Sequence, residues 1–109
     1  MKPHKPDLLQ GTLDLLVLKT LGHGPQHGYG IAQKILVTSR QVLEVQHGSL
    51  YPALHRLERK GLVSSEWRPS EAGRMAKVYS LTNAGRKHLE RELESWARYA
   101  AAINWVLEA

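Results

Sequence analysis

Cysteine is absent from the 109 residues. That removes disulfides, thiolate metal sites and a cysteine nucleophile together. No apolar run is long enough to span a bilayer. The most apolar stretch, Leu13 to Leu21, contains Asp14 and Lys19 and falls far short of the roughly 20 residues needed. The opening Met1-Lys2-Pro3-His4-Lys5-Pro6-Asp7 lacks the apolar core of a secretion signal, so the chain is expected to be cytoplasmic, with no membrane partner. No internal repeat or long low-complexity stretch occurs. Enzyme signatures are missing as well. His23 and His27 are four apart, but Gly24 and Pro25 break the helix that would aim both at a metal. His55 and Glu58 have no second histidine on the required face. There is no Gly-x-Ser-x-Gly elbow, phosphate loop or dinucleotide fingerprint. Catalysis, a metal and a cofactor are therefore not expected.

What is present is a single domain's worth of chain, able to bury roughly two-thirds of its unfolded surface. Its hydrophobic share of 42% is that of an ordinary globular domain. The charge is the unusual feature: 15 Lys and Arg against 10 Asp and Glu, a net +5, with a pI near 9.7. The excess is localised. Arg56, Arg59, Lys60, Arg68, Arg74, Lys77, Arg86 and Lys87 face only Glu58, Glu66 and Glu71 between residues 56 and 87. Eight cations against three anions account for the whole imbalance, which suggests a polyanionic partner.

Hydrophobic spacing predicts a buried helix over Leu8 to Leu21, from Leu9, Leu13, Leu16, Val17 and Leu21. Gly22-His23-Gly24-Pro25 ends it. A second helix is predicted from about Gly28 to Thr38. Val42, Leu43 and Val45 are expected to pin the following connector to the core. A third helix is expected to take Ser49 as its N-cap and Pro52 as its third residue, where the missing N–H is harmless. Leu50, Leu54 and Leu57 form its inward stripe, and Gly61 closes it. Leu62 to Trp67 and Ala76 to Leu81 read as strands joined by Pro69-Ser70-Glu71-Ala72-Gly73, a hairpin with a basic tip. Thr82 caps a last helix. The fold class is therefore mainly α with a small β-hairpin (α+β), a winged helix-turn-helix with a C-terminal dimerisation helix. The expected organisation is a basic tail at 1–7, a DNA-binding domain at 8–81 and a dimerisation helix at 82–109.

A recognition helix needs donors on the face that enters a major groove about 12 Å wide. Ser49 and Tyr51 at the helix start suit phosphate, His55 and Arg56 follow about a turn on, and Lys60 stands near the helix end. Arg56 can make a two-pronged contact to guanine. Arg74 and Lys77 on the wing, with Gln33 and Lys34 on the second helix, complete the candidate DNA-binding set.

Several blocks together resemble the PadR family of bacterial transcriptional regulators. They are Leu8-Leu9-Gln10-Gly11-Thr12-Leu13-Asp14, His27-Gly28-Tyr29-Gly30-Ile31, Gly48-Ser49-Leu50-Tyr51-Pro52-Ala53-Leu54-His55-Arg56-Leu57-Glu58 and Lys77-Val78-Tyr79-Ser80-Leu81-Thr82. The resemblance extends along nearly the whole chain and implies a winged-helix dimer, usually a repressor, with the third helix and wing on DNA. Where such proteins are commonly basic before the second wing strand, Met75 and Ala76 stand here. Much of the specificity is therefore expected from Ser49 to Lys60.

Leu89, Leu93, Trp96, Ala100, Ile103 and Leu107 repeat at 4, 3, 4, 3, 4, the spacing of a coiled-coil seam. Burying six such residues gains at most about 9–18 kcal/mol gross. Association costs about 4–15 kcal/mol, so the seam needs help from a partner's first helix. The expected assembly is a homodimer on a pseudo-palindromic operator. The resemblance further implies a site between such helices for a flat aromatic effector, at Trp96 and Tyr99. The competing reading is a winged-helix protein-interaction module that does not bind DNA.

Overall fold

Burial of the first helix organises the chain. The computed structural model describes residues 10–109; the 1–7 tail, Leu8 and Leu9 lie outside them. Helix α1 (Gln10–Leu21) is apolar around most of its circumference. Leu13, Leu15, Val17, Leu18 and Leu21 are all buried, which a one-sided amphipathic helix could not achieve. The later helices and the central strand pack around it.

A two-residue strand, β1 (Gln26–His27), leads into α2 (Gly28–Thr38). His27 caps α2, its Nδ1 accepting from the Gly30 N–H at 3.0 Å. Ile31 and Ile35 face the core. The helix closes with a six-to-one bond from the Gln41 N–H to the Leu36 carbonyl at 2.8 Å. Arg40 takes the left-handed position (φ 56°) usually given to glycine. The connector is pinned by buried Val45 and by Leu43, whereas Val42 is exposed. The chain is turning through two successive positive-φ residues, Arg40 and Gln41, just before Val42.

Helix α3 runs from His47 to Arg59, earlier than its sequence suggests. Gln46 is the N-cap, in extended conformation and without a side-chain capping bond. The Leu50 N–H already donates to the Gln46 carbonyl at 2.9 Å. Ser49 is therefore the third helical residue, not the cap. Pro52 is the sixth, inside the helix, where it withholds a hydrogen bond from the Gly48 carbonyl. Gly48 is exposed, so solvent can satisfy that carbonyl. Leu50, Ala53, Leu54 and Leu57 are buried as the periodicity requires. Gly61 (φ 74°) then ends α3, with the Leu62 N–H on the Leu57 carbonyl at 3.0 Å.

Strands β2 (Val63–Pro69) and β3 (Met75–Leu81) form the wing, and β1 adds to the other edge of β3. The third strand is not legible in the sequence: two residues, Gln26 and His27, opposite Tyr79 and Val78, are too short to show alternation. In the wing, Ser65 pairs with Tyr79, Trp67 with Lys77 and Pro69 with Met75. Helix α4 (Asn83–Glu108) is capped by Thr82. The Thr82 hydroxyl accepts from the Gly85 N–H and donates to the Gly61 carbonyl at 2.7 Å, tying the start of α4 to the end of α3. Among the described residues this is four helices and a three-stranded antiparallel sheet, a winged helix-turn-helix of the expected α+β class. No described helix is long and apolar enough to cross a membrane.

Gly85 is required by close approach. A Cβ there would run into the Leu62 carbonyl and the Leu81 side chain, and the backbone of Leu62 cannot step aside. Gly85→Ala should destabilise the fold by about 1–3 kcal/mol, read as a lower urea midpoint with unchanged m-value.

Candidate nucleic-acid interface

The helical period divides α3 into two working faces. Tyr51, His55 and Arg59, at i, i+4 and i+8, are exposed along one stripe, with Ser49 and Lys60 exposed near its two ends. Arg59 belongs to this stripe, although the sequence reading did not select it. Its spacing from His55 was the available signal.

Arg56 does not share that face. About 100° further round the helix, its guanidinium reaches α1 and bonds Asp14 at 3.0 Å. Both side chains are largely withdrawn from solvent, and the Arg56 Nε is enclosed without a hydrogen-bond partner among the described residues. The expectation that Arg56 reads guanine is therefore corrected. Asp14 is flanked by buried Leu13 and Leu15, and its charge needs a partner there. Arg56 supplies it.

Tyr51 closes a groove between α3, the start of α2 and the wing. A Cβ at Gly28 would meet the Tyr51 hydroxyl at 2.9 Å, so Gly28 is what lets the ring lie over α2. His47 stacks on Tyr51 with centroids 5.8 Å apart. The wing supplies Arg74, exposed at the turn, and Lys77, whose ammonium stands 5.7 Å over the Tyr79 ring. Arg68 is paired with Glu66. Gln33 and Lys34 are exposed on α2, but Lys34 borders a separate cleft with Lys19, Thr20 and His23, away from the Tyr51 groove.

Tyr79 sits beneath this surface, buried. Its phenol pKa is raised by burial first, then by the Glu58 carboxylate and Tyr51. Glu58 is held there by the Ser65 hydroxyl at 2.5 Å.

A model of the transcriptional regulator PadR-like family matches residues 17–91. That span is more than half of the chain. The chain belongs to the PadR-like family of transcriptional regulators. A transcriptional regulator of Mycobacterium tuberculosis is 45% identical over 75 residues, 66% of each chain. The solved PadR family transcription regulator of Clostridium difficile is 32% identical, with a TM-score of 0.75 over 87% of this chain and 97% of that one. The PadR-like regulator of Bacillus cereus is 27% identical, with a TM-score of 0.79 over 93% and 96%. Membership makes the protein a DNA-binding regulator and not an enzyme.

In this PadR-like chain α4 spans about 39 Å. Of the seam residues, Leu89 is corrected: it is only 8% exposed and belongs to the chain's own core, because α4 lies on α1. Leu93, Trp96, Ile103 and Leu107 are exposed and Ala100 is half-buried. Trp96 and Tyr99 lie 6.0 Å apart. They line a cavity of about 360 Å³ between α1 and α4, with Gly11, Thr12 and Leu15 opposite.

The half-buried Asp14–Arg56 pair and the buried Tyr79 are open to direct test. Asp14→Asn leaves Arg56 with a neutral acceptor and should cost about 1.5–3 kcal/mol, measured by chemical denaturation, with Asp14→Glu recovering part of it. Tyr79 holds its proton more tightly folded than unfolded. Its contribution is complete below the ordinary phenol value of about 10 and is lost as pH rises from there through the higher folded value. Tyr79→Phe should flatten the alkaline decline of stability in a pH series of melts.

Proposed function

We propose that this protein is a homodimeric repressor that binds a pseudo-palindromic operator through α3 and the wing. The observation that carries the reading is the exposed Tyr51–His55–Arg59 stripe beside the cationic wing. It puts donors for base edges next to cations for phosphate. Arg59 replaces Arg56 as the base-reading arginine. Ser49 and Tyr51 hold phosphate at the helix start, Lys60 at its end, and Arg74 and Lys77 at the wing. Gln33 and Lys34 contribute at the margin.

Dimerisation is supported by the exposed apolar length of α4, from Leu93 to Leu107. A helix with that face in water is costly, and a two-fold partner would cover it while aligning two recognition helices. On this reading residues 8–81 bind DNA and residues 82–109 mainly join the protomers. A flat aromatic effector would occupy the cavity at Trp96 and Tyr99 and release the operator by shifting α4 against α1. The cavity's size, close to the lower end for small-molecule sites, supports this.

The test is titration of the full chain with duplex from its own promoter across a salt series. A dimer covering roughly 6–10 phosphates gives a log–log slope of about −5 to −9. Arg59→Ala should weaken operator binding by about 1–3 kcal/mol while sparing unrelated duplex. Ile103→Glu should yield a monomer in sedimentation and lose operator affinity. Absent or salt-insensitive promoter binding would overturn the reading.

A further inference from the structure

The inner face of the wing is longer than the core it covers. Cross-strand partners share a face, so Ser65 with Tyr79 and Trp67 with Lys77 lie successively further out along it, and Pro69 with Met75 ends it. At the base, Tyr79 is sealed against the helices at 5% exposure. Towards the tip no described residue covers the face: Trp67 is 63% and Met75 56% exposed. These two side chains and Lys77 form one wall of a groove of about 580 Å³ whose other wall is Tyr51 of α3 and Tyr29 of α2. Among the described residues no aspartate or glutamate lines it.

We infer that this groove seats one sugar–phosphate strand of duplex DNA, with Trp67 and Met75 packed on deoxyribose while Lys77 and Tyr51 hold the flanking phosphates. The inference rests on the DNA-binding reading above and adds an apolar contact to it. Its geometry follows from where the groove lies. If α3 enters a major groove and the wing the neighbouring minor groove, the strand that separates those grooves must pass between α3 and the wing. A sugar–phosphate strand alternates anionic phosphates with largely apolar rings. The cleft offers a cation and phenol hydroxyls beside an indole and a thioether, with no opposing carboxylate among the described residues. A wing that carries Met75 and Ala76 at the start of its second strand thus loses charge but gains packing surface. Trp67 is hard to pick out from sequence, because a tryptophan within an apparent strand looks like core.

The experiment is anisotropy titration of the full chain with operator duplex and with unrelated duplex, each across a salt series. Trp67→Ala should weaken both about equally, by roughly five- to tenfold, because backbone contacts carry no sequence information. Its log–log salt slope should stay unchanged, since no cation is removed. Lys77→Ala should instead flatten the slope by about 0.9 for each phosphate it no longer neutralises. Trp67→Phe should restore most of the affinity. Trp67 is exposed, and unaltered melting of both variants would show that binding, not folding, has changed. Wild-type affinity in Trp67→Ala would overturn the inference while leaving the DNA-binding reading intact, and so would a loss confined to operator. Failure of the unmodified chain to bind either duplex would remove both.

Discussion

Everything in this fold is placed by the burial of α1. A helix with leucine or valine at residues 13, 15, 17, 18 and 21 all out of water cannot lie on a surface, so the other three helices and the sheet must surround it. That burial creates the structure's main electrostatic demand. Asp14 is carried inward with its apolar neighbours, and an unpaired carboxylate there would be costly. Arg56 answers it from α3 at 3.0 Å. Helix α3 is thereby anchored through its side face, which leaves Tyr51, His55 and Arg59 exposed.

The short sequence blocks acquire reasons once their neighbours are known. Gly28 and Tyr51 belong to different blocks, yet they meet: a Cβ at Gly28 would crowd the Tyr51 hydroxyl at 2.9 Å. Thr82 and Gly85 form a unit for two purposes. The hydroxyl caps α4 and holds the end of α3, and the missing side chain lets α4 approach the Leu62 carbonyl. Both devices fix how the wing and α4 sit relative to α3, the relation on which a DNA-binding surface depends.

Legibility followed periodicity. The four helices, the hairpin and the Thr82 cap could be read because burial imposes a 3.6- or two-residue pattern and caps have chemical signatures. The start of α3 was misplaced because Ser49 is a good capping residue, whereas Gln46 caps by backbone conformation alone. Strand β1 escaped notice because two residues carry no pattern. Arg40 at the left-handed position closing α2 was unmarked, since the usual signal is glycine. In the candidate interface, the sequence pointed to Arg56, whereas the structure pairs Arg56 with Asp14 and leaves Arg59 exposed.

The sequence by itself determined the class of the protein: a basic winged helix-turn-helix with a projecting apolar C-terminal helix, because composition, hydrophobic spacing and contiguous motifs are local properties. Only the tertiary structure decided which cations face outward. Arg56 and Arg59 have the same chemistry and lie three residues apart, and nothing local says that Asp14, 42 residues upstream of Arg56, will claim one of them. The same holds for Leu89, drawn into the core while the rest of its seam stays exposed. It holds too for Trp67, left outside by a wing that outreaches the helices beneath it. Long-range burial and charge pairing settle such assignments, and they depend on residues that meet only when the chain is folded.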